Sequence, residues 1–85
     1  MYLLTKRGDL INMDKVNEIR IGEVNSHNTW PVVADFGDHT RSYSLAFLPS
    51  KIEAQAMVET IARNIATGDK GQVLDLAVIE EDVTR

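Results

Sequence analysis

Hydrophobic and polar positions alternate along most of this chain and settle into a helical rhythm only once. The stretch "YLLTKRGDLINM" reads as a β-hairpin closed by a two-residue turn at Arg7-Gly8, with Gly8 supplying the positive φ such turns need. That register puts Tyr2, Leu4, Ile11 and Met13 on one face and Leu3, Thr5, Leu10 and Asn12 on the other. Asp14-Lys15 turns the chain again. "NEIRIGEV" follows as a half-buried strand, with Ile19 and Ile21 on one side and charged residues between them. Asn25 to Thr29, all small or polar, is a loop.

A second hairpin is expected where Phe36 and His39 flank Gly37-Asp38, a pair suited to a type II′ turn. Its register pairs Ala34 with Arg41 and Val32 with Tyr43 on a mainly apolar face, and Asp35 with Thr40 and Val33 with Ser42 on the other. An arginine on an apolar face must snorkel to water or find a carboxylate, so Arg41 is the one local inconsistency in the pattern.

The helical rhythm occupies "SKIEAQAMVETIARNIATG". Ser50 and Glu53 form a capping box. Ala54, Met57, Val58, Ile61, Ala62 and Ile65 make one apolar stripe, and Gly68 stands where a left-handed cap ends a helix. "QVLDLAVI", rich in aliphatic and β-branched residues, reads as a last strand, and 80–85 as a short acidic tail.

These elements predict a single α+β domain over residues 1–85: an antiparallel sheet of about five to six strands, covered on one face by a single amphipathic helix. One helix cannot cover so many strands. The far face, with Leu3, Leu10 and Val33, is therefore expected to meet a second copy or another partner.

Composition narrows the class. At 44% hydrophobic and 26% charged, the chain should pack and not stay disordered. It has no cysteine, which excludes disulfides and thiolate metal sites and favours the cytoplasm. The net charge is −4, with its basic residues scattered, which disfavours binding to a phosphate backbone. No apolar run suits a signal peptide or a membrane span. Beginning at Met, the sequence reads as a complete small open reading frame.

His27, Asp35, Asp38 and His39 are the residue types that hold zinc or manganese, but their spacing suits polar turn residues better, and no metal or cofactor is expected. No serine, threonine or lysine beside them is spaced as an activated nucleophile, so no catalytic residues and no enzyme are expected. "GDKG", Gly68 to Gly71, matches the GxxG loop of KH-type RNA-binding domains, yet Asp69 repels phosphate and helix capping explains Gly68. "RGD" at Arg7 to Asp9 is a hairpin turn. Trp30, His39, Arg41 and Tyr43 remain as a candidate ligand or partner site: flat rings to stack on and a planar fork for phosphate or carboxylate. Against that stands plain packing, in which Trp30 and Tyr43 close one end of the core under Arg41.

The segments "LLTKRGDLINMDKVNEIRI" and "VVADFGD", followed by one long helix, resemble a loose group of small, uncharacterised single-domain proteins of bacteriophages and prophages. Leu10 to Met13, Asp14, Val16 and Val32 to Phe36 carry the resemblance, within a span from 2 to 67. The "SHNTWP" loop and the stretch from Gln72 lie outside it. Its motifs are structural and bring no catalytic pattern. The resemblance implies a phage accessory protein that acts by binding, either inhibiting a host defence enzyme or sequestering its nucleotide messenger.

The expectation is thus a non-enzymatic binding module in the bacterial host's cytoplasm, inhibiting a host defence system through protein contact. The alternative is an oligomeric sponge that holds a nucleotide-derived signalling molecule between subunits. A homo-oligomer, dimer or higher, is expected, and neither nucleic acid nor a membrane is an expected partner.

Overall fold

The loop after the first strand sets the register of everything near it. In the protein's structure, a computed structural model that describes residues 1–37, 41–68 and 71–85, strand β1 (Tyr2–Leu4) pairs antiparallel with β2 (Leu10–Asn12). The partners are Tyr2 with Asn12, Leu3 with Ile11 and Leu4 with Leu10. Thr5 N–H donates to Asp9 C=O at 2.9 Å, and Gly8, at φ 91°, donates to Thr5 C=O at 2.9 Å. The loop therefore holds three residues and not two, with glycine in the left-handed position that such loops favour.

A one-residue slip exchanges the faces of a strand pair. Leu3 and Ile11, expected on opposite faces, share the buried one, at 0% and 7% exposure. Of Leu3 and Leu10, both expected on the far side, only Leu10 points to solvent, 58% exposed. β6 (Val73–Asp75) joins β1 in parallel, setting Leu74 beside Leu3 and completing a first sheet of order β2-β1-β6.

Asn12 caps a single 3-10 turn, Met13–Lys15, that leads into β3 (Val16–Ile21). β4 (Trp30–Phe36) and β5 (Arg41–Leu48) complete a second, wholly antiparallel sheet of order β3-β4-β5. Phe36 pairs with Arg41, Asp35 with Ser42 and Ala34 with Tyr43. The register is two residues from the expected one, because four residues and not two separate the closing pair. A slip of two preserves the faces, so Arg41 and Tyr43 stay on the side of Ala34 and Val32. Asp38, His39 and Thr40, with most of the expected type II′ turn, lie outside the described residues. The loop before β4 is built by Asn25, whose side chain accepts from the N–H groups of His27 and Thr29, both at 3.0 Å.

Helix α1 (Lys51–Thr67) starts as its sequence predicts: Ser50 Oγ accepts from Glu53 N–H at 3.2 Å and donates to the Glu53 carboxylate at 2.8 Å. Its stripe of Ala54, Met57 and Ile61 is buried against the second sheet. The C-terminal cap differs from expectation. Gly68 N–H bonds Asn64 C=O at 2.7 Å, but Gly68 has φ −88°, not a left-handed value. Glycine is needed there for room: a Cβ would lie 2.6 Å from the Asn64 carbonyl oxygen and 1.9 Å from Gln72 Oε1.

The expected last strand is two elements. β6 ends at Asp75, whose side chain accepts from Ala77 N–H at 3.0 Å and caps helix α2 (Leu76–Val83). Leu76 and Ile79 are buried and Val83 packs beside them, a helical spacing that runs on through Glu80, Glu81 and Asp82. The expected acidic tail is thus largely helix. The fold is α+β, with two three-stranded sheets and two helices among the described residues in place of one sheet and one helix. α2 fills the space a continuous sheet would have occupied, touching β1, β5, β6 and α1. One apolar core results, joining Leu3, Ile11, Leu74, Leu76 and Ile79 to Val32, Leu45, Leu48, Met57 and Ile61.

Candidate functional site

Antiparallel pairing spreads the expected site residues over the length of one hairpin. Trp30 pairs with Leu48 at one end of β4–β5, and Arg41 pairs with Phe36 at the other. Six residues of extended strand separate the two ends, roughly 20 Å. Trp30 is half-buried against the core, with the Lys51 ammonium 5.8 Å from its ring centroid. Arg41 is exposed, so its place on the apolar side is resolved by snorkelling at the end of the strand. His39 lies outside the described residues. Within one chain, the structure does not bring Trp30 together with Arg41.

Tyr43 does meet polar partners, and none of them came from its own hairpin. Its hydroxyl donates to the Asp9 carboxylate, and the Arg7 guanidinium lies over its ring, 4.9 Å from the centroid. Arg7 also stands 3.6 Å from Asp9, and hydrogen bonding to Tyr43 raises its pKa above the usual arginine value. Lys6, next in the same loop, reaches Glu80 of α2 at 2.5 Å. The first loop thus docks against β5 at Tyr43 and against α2 at Glu80. Sequence alone gave no sign of this, since the partners lie 34 and 74 residues apart.

Asp35, considered above as a metal ligand, is buried on the outer face of the second sheet. It accepts from Arg20 at 2.9 and 3.4 Å and from the Ser42 hydroxyl at 2.6 Å. Hydrogen bonding to Asp35 raises the pKa of Arg20 in turn. Both carboxylate oxygens are therefore engaged by protein donors. His27 stands apart in the exposed loop before β4. Among the described residues no group of three or more His, Asp or Glu side chains is placed to hold a metal ion.

Three surfaces stand out among the described residues. A groove of about 500 Å³ runs between α1 and the start of β3, lined by Met1, Met13, Val16, Ile19, Val58 and Ile65. Another, of about 470 Å³, lies between β5 and the Thr5–Arg7 loop. The third is the outer face of the first sheet. Because Leu3, Ile11 and Leu74 form its buried row, alternation puts Tyr2, Leu4, Leu10 and Val73 on the other side, together with Asn12 and Asp75. Tyr2 is 37% exposed, Val73 52% and Leu10 58%.

Comparison with family models, with curated proteins and with solved structures finds no match for this chain. No helix among the described residues is long and apolar enough to cross a membrane.

Proposed function

We propose that this protein is a non-enzymatic binding module that works by holding another protein against the outer face of its first sheet. One observation carries the reading: Tyr2, Leu10 and Val73 stand exposed around a half-buried Leu4 on one sheet face, which they share with Asn12 and Asp75. Scattered apolar residues on a surface need no explanation, but adjoining ones on a rigid sheet mark a contact. The resemblance to phage and prophage proteins adds the setting: an accessory protein in the bacterial cytoplasm whose partner belongs to a host defence system. The nucleotide-sequestering alternative draws little support from a single chain, since Trp30 stands at the far end of the hairpin from Arg41 and Tyr43.

The test is to isolate the wild-type protein and the Leu10→Glu variant from the same bacterial host and weigh the intact complexes by native mass spectrometry. A charge in the middle of the contact should remove a stoichiometric partner protein that the wild type retains, while the circular dichroism of the two chains agrees. A partner held equally by both would refute the reading. A complex containing only copies of this chain, split by the variant, would reassign the face to self-association.

A further inference from the structure

The groove between α1 and the start of β3 opens along a strand edge. Four consecutive residues of β3, Val16 to Ile19, border it. Side chains of consecutive strand residues point to alternate faces, so what these four share is the edge. Among the described residues β3 pairs with β4 alone, and its other side has no ladder to join.

The pairing with β4 decides which groups that edge turns outward. Gly22 N–H donates to Pro31 C=O at 2.9 Å. Residues of an antiparallel strand alternate between turning both backbone groups to a neighbour and turning both away. Glu18 and Arg20, opposite Asp35 and Val33, therefore bond β4 as Gly22 does, and Ile19 and Ile21 hold their N–H and C=O groups outward. Side chains alternate too. Ile19 and Ile21 pack on the core, and Glu18 and Arg20 lie on the outer face, 53% and 45% exposed. Two of the five guanidinium N–H donors of Arg20 go to Asp35. Glu18 stands 3.7 Å from Arg20, beyond hydrogen-bond reach, and its carboxylate accepts no hydrogen bond among the described residues.

The order Glu18-Ile19-Arg20 is its own complement when read antiparallel. A two-fold axis at Ile19 sets outward backbone groups against outward ones, inner face beside inner face, and Glu18 opposite the partner's Arg20 on both sides of the axis. Registers centred on Glu18 or Arg20 appose like charges, and those centred on Asn17 or Ile21 pair a shorter length of strand. We infer that a second copy of this chain covers the β3 edge, in a two-fold dimer whose sheet runs on through both copies. The two Ile19 residues exchange main-chain bonds at the axis, and a Glu18–Arg20 pair flanks them on each side. On the inner face the two grooves meet, and there Val58 and Ile65 of each α1, the latter 48% exposed, gain cover. Charges on an edge ordinarily repel a further strand. Here their order admits one register, and the two-fold closes the assembly at two copies. This surface is separate from the contact face of the first sheet.

Sedimentation velocity of the full-length protein over a concentration series, with amide hydrogen exchange at both ends of the series, tests it. The expected result is a concentration-dependent dimer in which the Ile19 and Ile21 amides gain protection, while those of Glu18 and Arg20 are protected throughout. Glu18→Arg, which sets arginine against the partner's Arg20 twice over, should weaken dimerisation about tenfold, and Glu18→Gln about threefold. If thermal melting shows that Glu18→Arg disturbs the fold, Glu18→Gln decides alone. Leu10→Glu should leave this dimer intact, so a second copy retained by that variant bears on β3 and not on the first sheet. A monomer throughout the series, a dimer whose Ile19 amide still exchanges freely, or a dimer indifferent to the Glu18 variants would overturn the inference. A dimer split by Leu10→Glu would also overturn it and assign self-association to the first sheet.

Discussion

The two sheets have the same number of strands and treat their outer faces in opposite ways. On the second sheet, Asp35 and Val33 sit in the central strand and are nevertheless buried, because Arg20 from β3 and Ser42 and Ser44 from β5 flank them. Polar groups there satisfy one another and leave little for a partner to bind. On the first sheet the strands are three residues long, too short for flanking side chains to close over the centre. Its outer face leaves Tyr2, Leu10 and Val73 exposed, with Asn12 and Asp75 beside them. A small domain can seal a sheet face with its own side chains or leave it exposed, and this chain does both.

Four substitutions sharpen or break that contrast. The largest effect is expected inside the first sheet. Leu3→Ala removes a side chain with 0% exposure from the middle strand and should cost about 2–5 kcal/mol in denaturant unfolding. Next comes the seal of the second sheet. Asp35→Ala deletes the acceptor shared by Arg20 and Ser42, and a loss of about 1–3 kcal/mol is expected by the same assay. If that variant were as stable as the wild type, the seal would be ornamental and the contrast would fail. Gly8→Ala places a Cβ in open space but at φ 91°, so the cost is conformational, about 1–2 kcal/mol in thermal unfolding, with core packing unchanged. The smallest change is on the bare face. Leu10→Gln, at a position 58% exposed, should alter stability by less than about 0.5 kcal/mol. A marked loss would mean that the face already packs against something in the free protein.

Much of this was legible from local pattern. Helix α1, its cap at Ser50 and the inward placing of Ile19 and Ile21 follow from side-chain period and capping chemistry, which act within a few residues. The errors lie where one residue decides between near-equal alternatives. A two- and a three-residue loop both accept Gly8 in a left-handed conformation, yet they place Leu3 on opposite faces. "VLDLAVI" is aliphatic enough for either a strand or a helix, and Asp75, by capping Ala77, makes it both in turn. Leu76, Ile79 and Val83 at helical spacing are the signal of the helix, competing with β-branched residues that favour a strand.

The site was less legible than the fold. Sequence groups Tyr43 with Trp30 and Arg41, but proximity in sequence does not bring Trp30 to the other two in space. The partners of Tyr43 in the structure, Arg7 and Asp9, come from another hairpin, and only the packing of the first loop on the second sheet brings them there. The open face was anticipated in kind, as sheet area that one helix could not cover. Of the residues expected on it, Leu10 is there, Leu3 is in the core and Val33 is sealed on the other sheet.

The most direct test of the contrast is a photo-crosslinking amino acid placed in turn at position 10 and at position 20, one on each outer face, in protein made within a bacterial host. The account predicts a single discrete adduct with a host protein from position 10 and none from position 20. An adduct with a host protein from position 20 alone, or from neither, would contradict it.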